Sequence, residues 1–269
     1  MRIVRFALLV VLSIPFLSAS VAQQTPSSSA QAMNLLQQAL AALNPGAPTT
    51  DVTLSGSAHY IAGSDDETGT AVLKAMGGGA SRMDLTLSSG IRSEVHSVDA
   101  SGSSVGAWSG SDGVQHAISF HNLLTDSSWF FPGLTLTRLV NTTGIVGTYA
   151  GQEILNGQSV LHLSFSQPPT NASGPDAAVM QHLSQIEFYL DSTTLLPVAL
   201  SYAIHPDNNE LLDIPVQILF SNYQNVSGVR IPFHVQKLLN GCLTLDLQVQ
   251  SATLNSGLSA NAFSVQIAQ

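Results

Sequence analysis

The sequence predicts a mainly β (α+β) fold, a long antiparallel meander preceded by one amphipathic helix. Three observations carry that prediction. Apolar and polar residues alternate with period two along much of the chain beyond Asp51. Asn-Gly pairs stand between alternating runs, where positive φ angles close tight hairpins. No strand pattern alternates with long helical ones, which excludes a parallel nucleotide-binding sheet.

In chain order, Arg2 and Arg5 precede the apolar run Phe6 to Phe16, and small Ser20 and Ala22 stand just before a cleavage point at Gln23. This pattern predicts a secretory signal peptide over 1–22 and a soluble, periplasmic or secreted mature protein. The apolar run is about half of the ~20 residues a membrane-spanning helix needs. Ser-rich residues 23–30 read as a flexible leader, and 31–269 as one domain. From Gln31 to Asn44, Met33, Leu36, Leu40 and Leu43 share one helical face, and Asn44, Pro45 and Gly46 end the helix. Gln31, Gln37, Gln38 and the alanines form its outer face.

Alternation then begins with Val52, Leu54, Gly56, Ala58 and Tyr60, and recurs in Met83, Leu85 and Leu87. It is clearest in Val229, Ile231, Phe233 and Val235 and in Leu243, Leu245, Leu247 and Val249. Such strands belong to antiparallel sheets that are wet on one face. Asn156-Gly157 and Asn240-Gly241 predict hairpins, with Asp112-Gly113 and Ser227-Gly228 as weaker signals; Pro197, Pro215 and Pro232 should mark strand starts, bulges or edges. About ten strands result. Two segments interrupt them: Ile118 to Leu139, broken after Phe131 by Pro132, and Gln167 to Ser184, with a short helix near Ala177 to Leu183.

Charge narrows the function. Only 9% of the 269 residues are charged, against roughly 25% in ordinary domains. The formal net charge of −9 falls to −11 once Arg2 and Arg5 are removed, which speaks against nucleic-acid binding and against stable membrane insertion. The single cysteine, Cys242, offers neither an internal disulfide nor a zinc motif. No cofactor and no metal site are expected.

Catalytic motifs find little support. Gly102-Ser103-Ser104-Val105-Gly106 matches the G-x-S-x-G elbow, but strand and turn residues follow where that motif needs a helix. His116 and His121 are five apart and fall on different faces, while His59, His96, His162 and His234 read as solvated strand residues. Asp65, Asp66 and Glu67 read as a solvated turn tip. Asn141, Asn171 and Asn225 open glycosylation triplets that composition explains. No catalytic residue is assigned. The aromatic segment Phe120 to Phe131 must be buried, either as a core plug or as the cover of an apolar cavity.

The order of parts, together with Phe188-Tyr189-Leu190-Asp191, Leu196-Pro197-Val198, Phe220-Ser221-Asn222-Tyr223, Gly228-Val229-Arg230-Ile231-Pro232-Phe233 and Asn255 to Phe263, resembles the LolA/LolB-like superfamily of periplasmic lipoprotein carriers. The resemblance implies a half-open barrel whose apolar concave face, covered by helices, holds acyl chains without chemistry. The implied ligand-binding residues are Phe120, Leu123, Leu124, Trp129, Phe130 and Phe131 in the cover and Phe233, Leu245 and Leu247 on the inner face. No basic residue is assigned a role. The expected partner is a hydrophobic small molecule or a lipidated protein; the alternative is an envelope module that binds another protein with the same sheet.

Overall fold

The computed structural model describes residues 28–46, 48–125, 127–167 and 174–265, so the expected signal segment and the first residues of the leader lie outside the described residues. Helix α1 spans Ser28–Leu43, three residues longer at its start than its apolar spacing indicates. Its buried stripe is Ala32, Leu36, Ala39 and Leu43, with Met33 and Leu40 at the margins. The two alanines, expected on the outer face, instead make the closest approach. A Cβ added to Gly147 would sit 3.4 Å from that of Ala32, so small residues on both sides set the spacing. Ser28 Oγ donates to the Tyr149 carbonyl and accepts from its N–H.

The first half of the sheet comprises β1 (Asp51–Ala62), β2 (Asp65–Met76), β3 (Ser81–Leu87), β4 (Gly90–Val98), β5 (Ser104–Ser109) and β6 (Gln115–Ala117). A 3-10 turn at Phe120–Leu123 and helix α2 (Pro132–Asn141) follow. The second half comprises β7 (Val146–Leu155), β8 (Gln158–Ser166), helix α3 (Pro175–Leu183), β9 (Ile186–Asp191), β10 (Pro197–Ile204), β11 (Ile214–Val226), β12 (Val229–Leu239) and β13 (Cys242–Leu254). These are 13 strands in one antiparallel sheet, ordered β6-β5-β4-β3-β2-β1-β13-β12-β11-β10-β9-β8-β7. The chain runs from the centre to one edge, crosses to the other, and returns to pair β13 with β1. Edges β6 and β7 do not pair, so the barrel is half-open.

Turn chemistry acts as expected. Asn156 and Gly157 (φ 49° and 81°) and Asn240 and Gly241 (50° and 77°) close their hairpins, and Ser227-Gly228 does the same at 52° and 89°. Pro197 opens β10, and Pro232 pairs with Tyr223 of β11 at a point beyond His234, where the β12–β13 ladder has ended. β1 shifts register against β13 at Ser55/Gly56, a bulge. A Cβ on Gly56 would stand 2.1 Å from the Gln248 carbonyl oxygen, so only glycine fits there.

The core lies on the concave face beneath α1 and α2 and includes Leu54, Leu73, Phe130, Phe131, Leu163, Phe188 and Ile218. Pro132 begins α2, at the position where a missing N–H costs nothing. The segment from Ile118 to Ile145 crosses from β6 to β7 as a strap over the open side. Ser127 Oγ donates to the Gly79 carbonyl at 2.6 Å, and Ser81 Oγ to the Ser127 carbonyl at 2.7 Å. On the other side, Asn122 exchanges two 2.8 Å bonds with the backbone of His205.

Candidate functional site

Register fixes which side chains share the concave face. In β12 the apolar phase Val229, Ile231, Phe233, Val235 continues into Lys237. One row across the sheet reads Tyr60, Leu245, Lys237, Ile218, Leu200, Phe188, Leu163, so a lysine stands in an otherwise largely apolar line. On the other half, Leu54, Leu73, Met83, Glu94 and Trp108 form a second row. Glu94 and Trp108 of the second row meet Lys237 of the first around one space, which Trp129 of the strap also borders. Lys237 Nζ lies 4.8 Å from the centre of the Trp129 ring, a cation–π contact that partly replaces lost hydration.

A cavity of about 170 Å³ opens at this point, walled by Glu94, His96, Trp108, Trp129, Tyr202 and Lys237, among others. Both tryptophans of the chain therefore border it. His96 Nε2 donates to Glu94 Oε1 at 3.0 Å. Burial opposes the Glu94 anion, but the Lys237 charge and the His96 bond outweigh it and hold the carboxyl down to about 2. For Lys237 burial works the other way, yet its electrostatic partners Tyr202, Glu94 and Tyr60 raise its pKa, and the Glu94 carboxylate is the counter-charge at neutral pH. At the rim stand Ser119, Asn122 and Asp207, with Ser119 Oγ donating to Asp207. The arrangement has binding character: one fixed cation, one fixed anion and indole faces, beside an apolar sheet.

Of the residues expected to bind, Trp129 borders the cavity, while Phe130 and Phe131 are each 1% exposed in the core. Phe233, Leu245 and Leu247 lie on the concave face, buried with the core. Leu123 and Leu124 are half-buried, and Phe120 is exposed at 59%.

Glu94, His96, Trp108, Tyr202 and Lys237 escaped the sequence reading. The available signal was phase: Lys237 occupies an inward position of its strand. His96 corrects an expectation, since it is not solvated; its side chain is 13% exposed and faces the cavity. His59, His162 and His234 do pair with carboxylates, at 2.6, 2.8 and 3.1 Å. Glu67 also departs from the solvated-tip expectation, being 11% exposed and accepting hydrogen bonds from Ser88 and Ser89. Ser104 opens strand β5 and pairs with Val98, without the helix a nucleophile elbow requires.

No protein-family model and no curated protein matches the chain. Solved structures do. A domain from Vibrio parahaemolyticus assigned to outer membrane lipoprotein sorting superposes with a TM-score of 0.53 at 13% identity, covering 87% of this chain and 97% of that one. A DUF1329 family protein from Desulfovibrio piger gives 0.53 at 12% identity, covering 89% and 98%. A LolA superfamily protein from Nitrosomonas europaea gives 0.49 at 10% identity, covering 87% and 97%. At these identities what is shared is the fold.

Proposed function

Starting from a chain that shares its fold with an outer membrane lipoprotein-sorting domain and a DUF1329 family protein, we propose that this protein is an extracytoplasmic, non-enzymatic carrier or binding protein for an amphiphile with an acyl chain. The observation that carries the reading is the cavity itself, with Lys237 and Glu94 as polar anchors and both tryptophans as walls, on the rim of an apolar concave face. The apolar part of the ligand would lie on the face that holds Phe233, Leu245 and Leu247, and the polar head would meet Lys237. Each methylene so sheltered is worth about 0.8 kcal/mol.

Size sets a condition on this reading. A volume of about 170 Å³ is well below the ~300–1,000 Å³ of pockets that enclose drug-sized ligands. On this reading the cavity is in a closed form, and an acyl chain enters when the strap carrying Trp129 to Phe131 moves aside. Side-chain hydrogen bonds from Ser81, Ser127 and Asn122 hold both sides of the strap, and opening requires them to break. Among the described residues no helix is long and apolar enough to cross a membrane.

Native mass spectrometry of the purified protein, with extraction into organic solvent, tests the proposal. The expected result is one lipid per chain, released on extraction and restored by a long-chain fatty acid. Identical masses before and after extraction, with no uptake of fatty acid, would overturn it. The alternative of a protein-binding module draws on edge strand β7, which exposes Val146 at 42% and Ile154 at 69%. Under that reading a stoichiometric protein partner survives delipidation.

A further inference from the structure

His182, His205 and Asp213 come from three separate segments: the last turn of α3, the residue after β10 and the residue before β11. Both imidazoles converge on one oxygen, with His182 Nε2 at 2.9 Å and His205 Nε2 at 3.0 Å from Asp213 Oδ1. The three ligand atoms lie within 4.8 Å of one another. We propose that this triad binds a divalent transition-metal cation of the Zn²⁺ class, with its open coordination positions facing a cavity of about 220 Å³ walled by His182 and Asp213.

The donor set selects the class. Two imidazoles and one carboxylate suit borderline cations, whereas Ca²⁺ and Mg²⁺ prefer all-oxygen shells. The geometry is close to what such an ion needs. Tetrahedral arms of ~2.0–2.1 Å place ligand atoms about 3.3 Å apart, so the two His–Asp pairs need to spread by only a few tenths of an ångström, while the two imidazole nitrogens, within 4.8 Å of each other, settle to the same spacing by turning the half-exposed His182 ring. The site is also anchored. His205 has a side chain 1% exposed and a backbone clamped by Asn122, while His182 and Asp213 remain 42% and 48% exposed and give an ion a path in.

The buried surroundings of His205 are rich in imidazole nitrogen. His205 Nδ1 is buried without a hydrogen-bond partner, and so is Nε2 of His121, whose ring packs edge-on against His205 at 5.9 Å between centroids. His182 also packs against His205 at 5.9 Å. Buried polar nitrogens left without protein partners are uncommon, and a bound water or ion is a standard reason for them. A metal on His205 Nε2 places the ring proton on Nδ1 and so fixes one tautomer of this buried ring. The plain alternative is a His–Asp–His hydrogen-bonded chain at the sheet rim. Because Asn122 of the strap is bonded to His205, an ion here would also brace one anchor of the strap.

The test is titration of the purified, chelator-treated protein with Zn²⁺ by calorimetry and with Co²⁺ by visible absorption, using the wild type, His182→Gln, Asp213→Asn and the control His59→Gln. The expected result is one equivalent bound, with a Co²⁺ spectrum of low coordination number. Both site variants, altered at half-exposed side chains, should lose more than about 100-fold in affinity while the control does not, a ligand being worth more than the 10–100-fold of an outer-shell partner. Paramagnetic displacement of the His182 and His205 proton resonances in the Co²⁺ form gives the same answer without any variant. Failure to bind, affinity unchanged in both site variants, or displaced resonances belonging to other histidines would overturn the proposal. None of these outcomes bears on lipid uptake, which is read separately.

Discussion

Truncation of Phe130 to alanine should lower stability by about 3–5 kcal/mol, the usual cost of removing a fully buried aromatic ring. Phe130 is 1% exposed and meets Trp129 edge to face, at 5.5 Å between ring centres and 87° between planes. The ring does two things. It fills the space beneath α1 and α2, and it supports the indole that covers Lys237. Thermal unfolding should therefore shift by roughly 10 °C in a chain of this size, and Trp129 emission should move to longer wavelength as its packing loosens. A melting point within a degree or two of wild type would mean that the strap sits on the sheet without being part of its core.

Glu94→Gln should cost about 2–3 kcal/mol at neutral pH. Its carboxyl is held at about 2 instead of the usual 4.5 because the Lys237 charge and the His96 hydrogen bond prevail over burial, and a shift of that size corresponds to about 3 kcal/mol before water in the cavity is allowed for. The sign follows from the direction. A carboxyl with a depressed folded pKa adds stability that is fully present above 4.5 and is lost as pH falls toward 2. Wild type and variant should therefore differ at pH 7 and converge near pH 2, as measured by urea unfolding at several pH values. Pairing the change with Lys237→Met should recover part of the loss, because removing one charge alone leaves the other facing a low-dielectric space. A constant difference across the pH range would show that the carboxylate acts through packing rather than charge.

The sequence made the sheet legible and left the cavity obscure, for physical reasons that particular residues show. Alternation in Val229 to Val235 and Leu243 to Val249, with Asn240-Gly241 between them, fixes strands, turn and facing together, because local backbone preference and burial agree there. Around β4 they disagree. Arg92, Glu94 and His96 share one face, from which Glu94 and His96 border the cavity, while Val95 is buried on the opposite face, so a polar-out reading assigns the wrong face and the strand loses its pattern. Short β6, with three exposed residues, carries no pattern at all, and is one of the strands by which the 13 found among the described residues exceed the about ten expected. The cavity joins β4 to β12, five places apart in the sheet, through coiling that no local spacing encodes. The same holds for His182, His205 and Asp213, which are brought together by the end of α3 and the connection between β10 and β11.

The most direct test of the central claim is intrinsic fluorescence, since both tryptophans of the chain border the cavity. Titration with a long-chain fatty acid brominated along its chain should quench Trp129 and Trp108 saturably at one equivalent, and Lys237→Met should weaken the binding. Quenching that rises linearly without saturation, or that is identical in Lys237→Met, would contradict a ligand site at this place in the fold.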